Sequence, residues 1–118
     1  MTATRRMTLA QVRRHALSLE GANEEPHFDR TSFRVNGKIF ATARQGEPYL
    51  HVFVDETVRE PALALHPGAV EKLPWGAKIV GLRVRLADAP APLVRDLLRA
   101  AWAARARKTR PPAGRHRP

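Results

Sequence analysis

The residue types that carry out most enzymatic chemistry are sparse in this chain of 118 residues. It has no cysteine, which excludes disulfides, thiolate metal sites and a cysteine nucleophile. Its two serines, Ser18 and Ser32, are expected within a helix and at the start of a strand, without the glycine pattern of a nucleophile elbow. No glycine-rich loop follows a predicted strand, so no nucleotide cradle is indicated. We therefore predict that the protein is not an enzyme and needs no cofactor.

Metal binding is not indicated either. The five histidines show no ligand spacing such as H-x-x-x-H; they are His15, His27, His51, His66 and His116. The acidic pair Glu24 and Glu25 is adjacent, so along an extended segment its two carboxylates point to opposite sides. They could flank a pocket, but a solvated loop is the favoured interpretation. We expect no metal site.

The segment "PHFDR", residues 26–30, allows two interpretations. In the functional one, His27 and Arg30 contact an anionic ligand and Asp29 orients one of them. In the structural one, Phe28 fills the core under the first helix, while Asp29 and Arg30 fix the start of a hairpin. The structural interpretation is favoured.

Positive charge is concentrated at the two ends of the chain. The formal net charge is +10. Ten basic residues and no acids lie in residues 1–14 and 105–118, namely Arg5, Arg6, Arg13, Arg14, Arg105, Arg107, Lys108, Arg110, Arg115 and Arg117. The residues between these ends are balanced in charge. Basic ends are typical of arms that bind nucleic acids or acidic surfaces. A coding bias toward arginine explains the same pattern without any function.

Hydrophobic periodicity and turn signals predict the elements that must position these residues. A helix is expected from Thr8 to about Glu20, because Thr8 and Gln11 form a capping box. Asn36-Gly37 joins two β-rich runs and predicts a hairpin with a two-residue turn, which pairs Val35 with Lys38 and Phe33 with Phe40. The further elements are a strand at 49–54, a helix at 55–65, a short strand at 69–74, a strand at 79–86, and a helix capped by Asp88 and ending near 107.

The order α-β-β-β-α-β-β-α predicts a two-layer α+β domain with a five-stranded antiparallel sheet and helices on one face. Phe33, Val35 and Phe40 are expected to face the core, and Trp75 to cover the edge of that core. The side chains expected on the open face are Arg34, Tyr49, His51, Phe53, Arg83 and Arg85. Arginines among aromatic residues suit single-stranded nucleic acid. They equally suit a protein interface, and a loop or tail could also cover the face.

The length fits one domain. We expect a flexible basic N-terminus at 1–7, a single domain at 8–107, and a disordered basic Pro/Arg tail at 108–118. No apolar run is long enough to span a membrane, and the arginine-bearing N-terminus has no apolar signal region. A cytoplasmic protein with no membrane partner is therefore predicted.

The segment "EEPHFDRTSFRVNGKIFAT" resembles the signature of the MmcQ/YjbR family of small bacterial proteins. The matching residues are His27, Phe28, Ser32, Phe33, Arg34, Val35, Gly37, Lys38 and Phe40, and the weaker resemblance extends over about Leu9 to Ala104. It implies an α+β fold similar to type III secretion chaperones, and DNA binding without a known base-reading residue. Members often carry a tryptophan near the start of the last strand, where this chain has Leu82.

Together these observations predict a small DNA-binding protein that contacts phosphates and is not strongly sequence-specific. The candidate contacts are Arg34, Arg83, Arg85, Arg105, Arg107, Lys108 and Arg110. The alternative is a protein-binding or chaperone-like module that uses the open sheet face through Tyr49, His51 and Phe53, either alone or as a homodimer. A structural role is assigned to His27, Phe28, Arg30, Phe33, Gly37 and Phe40.

Overall fold

The computed structural model describes residues 6–108, which form three helices and six strands. Their bounds are α1 Leu9–Ser18, β1 Ala22–His27, β2 Arg30–Val35, β3 Lys38–Ala43, β4 Tyr49–Val52, α2 Glu56–Leu65, β5 Val70–Trp75, β6 Lys78–Arg85 and α3 Ala91–Lys108. The predicted α+β class and antiparallel sheet are confirmed. The predicted strand count of five is wrong, because Ala22–His27 forms an additional strand ahead of the central hairpin.

The six strands form one antiparallel sheet in the order β1-β2-β3-β4-β6-β5. Helices α1 and α3 pack against the sheet and against each other. Their buried residues join those of β2, β3, β4 and β6 in a single core that includes Val12, Ala16, Phe33, Leu50, Leu82, Val94 and Leu98. The opposite face of the sheet, called the outer face below, carries mainly polar and charged side chains.

Helix starts follow the capping chemistry of the sequence in two cases out of three. Thr8 Oγ1 accepts a hydrogen bond from the Gln11 amide, and the Gln11 side-chain oxygen accepts one from the Thr8 amide, so the predicted capping box is present. Asp55 caps α2 by accepting from the Thr57 amide. Asp88 does not cap α3, which begins at Ala91. Its carboxylate instead pairs with Arg85 at 3.2 Å.

The Asn36-Gly37 turn closes the β2–β3 hairpin as predicted, with both residues at positive φ (54° and 77°) and Val35 opposite Lys38. The pairing then shifts by one residue, so that Phe33 lies opposite Ala41 rather than Phe40. This β-bulge directs Phe40 and Ala41 together into the core, and both are fully buried. The predicted pairing of Phe33 with Phe40 is therefore wrong by one residue.

Gly81 allows the chain that leaves β4 to cross closely over β6. A Cβ atom at this position would collide with the Val52 carbonyl oxygen and would lie 3.0 Å from the Cα of Phe53. A glycine is therefore required here for lack of space and not for its backbone conformation. The close crossing places Phe53 just past the paired part of β4.

Two aromatic residues lie where the sequence did not predict them. Phe28 is 93% exposed at the tip of the β1–β2 hairpin, so its expected place in the core is wrong. Trp75 is 79% exposed at the end of β5 and does not cover the core edge. Asp29 and Arg30 were also expected to fix the start of the hairpin, but they do not form an ion pair with each other. Asp29 pairs with Arg44 and Arg30 with Glu47, both at 2.9 Å, which ties the tip to the β3–β4 loop.

The described chain is anchored at its N-terminal side. Met7 is buried in the core, and Arg6 donates a hydrogen bond from Nε to the Ala87 carbonyl oxygen at 2.8 Å. Most of the predicted flexible N-terminus (residues 1–5) and of the predicted C-terminal tail (109–118) lies outside the described residues. No helix within residues 6–108 is long and apolar enough to cross a membrane.

We expect Phe33→Ala to lower the free energy of unfolding by about 3–5 kcal/mol, because the ring is fully buried and its loss leaves a cavity. Phe28→Ala is the matched control, since it removes the same side chain from an exposed site. Its effect should stay within about 0.5 kcal/mol. Urea unfolding of both variants measures the difference, and comparable losses would contradict the assigned packing.

Candidate nucleic-acid interface

A row of polar side chains crosses the whole outer face. Directly opposed residues in the five strand pairs follow one another in the order Glu25, Ser32, Thr42, His51, Arg83 and Glu71. Residues opposed in this way share a face of the sheet. The predicted outward residues Arg34, Tyr49 and Arg85 flank this row on the same face, whereas Phe53 lies beyond the last pair of β4.

The arginines of the outer face are already paired with carboxylates. Arg34 lies 3.8 Å from Glu25, and Arg83 lies 3.2 Å from Glu71. Two further pairs are Arg30 with Glu47 and Arg85 with Asp88. These four pairs contain four arginines and four carboxylates, so their charges cancel across the outer face. A phosphate would have to displace a carboxylate from each arginine, which reduces the gain from its binding.

Hydroxyl groups and an aromatic ring hold these arginines in place. Arg34 Nε donates to Ser32 Oγ at 2.9 Å and Arg30 Nε to Thr42 Oγ1 at 3.3 Å. The two hydroxyl residues are consequently buried although they face away from the helices. The guanidinium carbons of Arg83 and Arg85 lie 4.6 and 5.1 Å from the centre of the Tyr49 ring, within cation–π range.

His51 occupies the middle of the row and is neutral at physiological pH. Burial lowers its pKa, and the neighbouring charges of Arg30 and Arg83 lower it further, against the opposing effect of Glu47. The resulting pKa is about 4, compared with an ordinary value of 6.5. The row therefore contains no additional cation at its centre.

One group of unpaired cations lies at one end of the sheet. Strands β3 and β6 both run antiparallel to β4, so their first residues, Lys38 and Lys78, lie at the same end, two strand spacings or roughly 10 Å apart. The last turns of α3 reach the same end, where Arg105 Nε donates to the Ile39 carbonyl oxygen at 2.9 Å. We call Lys38, Lys78, Arg105 and Arg107, together with the exposed Trp75, the basic end.

The cations of the basic end have no carboxylate within salt-bridge distance among residues 6–108. Arg105 instead lies 5.9 Å from the centre of the Phe53 ring, and Lys38, Lys78 and Arg107 are exposed. Asp55 and Glu56 follow β4 in the chain, at the start of α2. In the sequence, Arg110, Arg115 and Arg117 follow α3 and lie outside the described residues.

A second group of cations lines the groove between α1 and α3. Arg14 and His15 of α1 and Arg95 of α3 line a cleft of about 380 Å³, and Arg99 follows one turn after Arg95. Burial lowers the pKa of His15, and the positive charges of Arg95 and Arg99 lower it further, while a backbone hydrogen bond at Arg95 and the charge of Asp96 oppose this effect. These three arginines form no salt bridge within the described residues, but the groove is separate from the basic end.

Comparison with known proteins decides the family. The family model for YjbR matches residues 17–104, about three quarters of the chain. The chain belongs to the YjbR family. No curated protein matches it. The family match covers the six strands and most of α3, while the basic residues after Ala104 lie beyond it.

Within this YjbR-family fold, the position where relatives were expected to carry tryptophan is not on the surface. Leu82 is fully buried and belongs to the core under the helices. Leucine in place of tryptophan at this position therefore changes the packing of the core and not the outer face.

The predicted contact residues are divided among different places. Arg34, Arg83 and Arg85 lie on the neutral outer face, Arg105 and Arg107 at the basic end, and Arg110 outside the described residues. Lys108 is the last residue of α3.

Sequence reasoning did not select Lys38, Lys78 and Trp75. A signal was present for Lys38, which directly follows the predicted Asn36-Gly37 turn, whereas Lys78 was expected in the connection between two strands. Among the described residues, no group of histidine and acidic side chains is placed to hold a metal ion.

The pKa of His51 predicts a loss of stability on acidification. An unfolded chain binds a proton at this residue near pH 6.5, while the folded protein resists protonation down to about pH 4. The contribution of His51 is therefore complete above pH 6.5 and is lost as the pH falls toward 4. We expect wild type to lose roughly 1–2 kcal/mol more than His51→Gln between pH 7 and pH 4.5.

Urea unfolding at several pH values tests this expectation. His66→Gln serves as a control, because it removes a histidine at the C-terminal end of α2, outside the sheet. Parallel pH profiles for wild type and His51→Gln would show that His51 does not supply the dependence.

Proposed function

We propose that this protein binds nucleic acid through its basic end, by phosphate contacts that do not read sequence, and that it acts as a binding protein and not as an enzyme. The observation that carries the proposal is the convergence of Lys38, Lys78, Arg105 and Arg107 at the point from which the arginine-rich residues 109–118 continue. A cluster of cations without paired acids is the electrostatic pattern that phosphate backbones require.

The distribution of ion pairs favours this end over the outer face. Arg83 and Arg85 each hold a carboxylate within 3.2 Å, so binding a phosphate there exchanges one ionic contact for another. At the basic end the phosphate replaces only water and counterions, and the release of counterions from the nucleic acid drives binding. The proposed contacts are therefore the end of α3 and the two lysines rather than Arg34, Arg83 and Arg85.

Trp75 supports single-stranded nucleic acid as the preferred form. Its indole is 79% exposed. Trp75 lies directly opposite Lys78 where β5 and β6 meet at their turn, so an aromatic surface lies beside a cation. Unpaired bases stack on such rings, whereas the bases of a duplex are inaccessible to them. Stacking tolerates every base, which agrees with binding that does not depend on sequence.

Binding of a protein partner to the outer face is the second candidate function. The neutral, alternating charges of that face and the Tyr49 ring held between two arginines favour it. Arginine and tyrosine are enriched in protein interfaces, where paired charges at the rim supply specificity. This candidate requires no nucleic-acid affinity.

A salt titration of binding to a fluorescent single-stranded oligonucleotide tests the main proposal. Each phosphate contact contributes about 0.7 to the negative slope of log affinity against log salt. Deletion of 109–118 removes three arginines and should reduce the slope by about 2. Lys38→Ala with Lys78→Ala should reduce it by about 1.4, and Trp75→Ala should weaken binding by about 1–3 kcal/mol.

The matched control is Arg14→Ala with Arg95→Ala, which removes the same charge from the groove between α1 and α3. It should leave the slope unchanged. If Arg83→Ala with Arg85→Ala abolished binding while the lysine variant did not, the outer face would be the site. The absence of measurable binding at about 0.15 M salt for every form would favour the protein-partner function.

A further inference from the structure

Phe28 lies at a position that is unfavourable for phenylalanine in two independent ways. Its side chain is 93% exposed to water, and its backbone has φ of 59°. Positive φ at a bulky non-glycine residue is uncommon because the Cβ atom crowds the backbone. It is one of the two residues that join β1 to β2, and such short turns favour glycine, asparagine or aspartate. The Asn36-Gly37 turn of the next hairpin follows that preference. Neither exposure nor local backbone geometry accounts for the aromatic ring at the tip.

The tip is held firmly, so the ring is presented in a defined place. Asp29 pairs with Arg44 at 2.9 Å, and Arg30 pairs with Glu47 at the same distance. The ring of His27 meets that of Phe28 edge to face, with centroids 4.8 Å apart. These contacts connect the tip to the β3–β4 loop on one side and to its own strand on the other. A fixed aromatic side chain loses little conformational freedom when a partner covers it.

A cleft of about 540 Å³ lies directly beside this ring, between the tip and the start of α1. Leu9, Pro26, Ala43 and the Phe28 side chain itself supply its apolar lining. Its volume is within the range of small-ligand sites, roughly 300–1,000 Å³, and so leaves room for an aromatic ring. Phe28 and the residues that line this cleft are together called the patch below. The patch therefore contains both a protruding ring and an adjacent cavity.

Ion pairs inside the patch neutralise most of the charge around the cleft. Arg13 binds Glu24 through two contacts of 2.9 and 3.1 Å, and Glu24 also accepts from Thr31 Oγ1 at 2.6 Å. The pair of Asp29 with Arg44 also lines the cleft. A strongly anionic or cationic ligand gains little from such a surface, whereas a partner with the same balanced charges can meet it without repulsion.

A protrusion and a cavity on one neutral patch are the requirements of a two-fold symmetric contact, in which the same patch serves on both subunits. We propose that this patch is a self-association surface and that the Phe28 ring of each copy enters the cleft of a second copy. Strand β1 borders the patch and is an unpaired edge of the sheet. Its alignment beside the β1 of the partner adds contact area around the two rings.

Sedimentation velocity from about 1 µM to about 1 mM, with the full chain, tests the proposal. Wild type should form a dimer, and added salt should strengthen it by screening the repulsion between two chains of net charge +10. Phe28→Gly should weaken the dimer at least tenfold. Its melting temperature at low concentration should not fall, because glycine suits positive φ. Trp75→Ala removes an exposed aromatic ring from the other end of the sheet and should leave the dimer intact.

A mixing experiment tests the geometry itself. Phe28→Gly loses the ring but keeps Leu9, Pro26 and Ala43 in the lining of the cleft, whereas Leu9→Trp keeps the ring and fills the cleft. Each variant alone should dimerise at least tenfold more weakly than wild type, but an equimolar mixture restores one of the two ring-in-cleft contacts and should form a heterodimer. A wild-type chain that remains monomeric to about 1 mM would overturn the proposal. Dimers of undiminished affinity in Phe28→Gly, or no heterodimer in the mixture, would also overturn it.

Discussion

The two-residue turn at Asn36 and Gly37 is the constraint on which the rest of the structure depends. It fixes the register of the β2–β3 hairpin, and the register decides which side chains face the helices and which face outward. The bulge that follows turns both Phe40 and Ala41 inward, beside Phe33. With these residues buried, the row from Glu25 to Glu71 is left on the outer face. A shift of one residue would place hydroxyls and arginines in the core.

The same register separates two kinds of charge. Across the outer face, opposed strands bring arginines and carboxylates into contact, and the pairs cancel one another. At the end of the sheet, Lys38 and Lys78 start their strands next to a turn, and no neighbouring strand supplies an acid within the described residues. The strand ladder therefore makes a neutral face and a basic end from a chain whose central part is balanced in charge.

The two exposed aromatic rings lie on different hairpins and serve different proposals. Trp75 belongs to the basic end, with lysine and arginine around it, while Phe28 stands beside a cleft whose charges are paired internally. Salt should act on the two interactions in opposite directions. It weakens phosphate contacts through counterion effects and favours the association of two chains that each carry +10.

The sequence by itself determined the elements whose signals are local. The capping box of α1, the Asn36-Gly37 turn and the alternation in β6 each depend on neighbours within a few residues, and all three are present. Strand β1 has no such signal, because "ANEEPH" contains a proline and two acids and becomes a strand only by pairing with β2. Tertiary structure alone decided that Phe28 lies outside the core, that the outer arginines meet carboxylates, and that Lys38 and Lys78 share one end. Each of these depends on which distant strands pair, and local spacing carries no information about that choice.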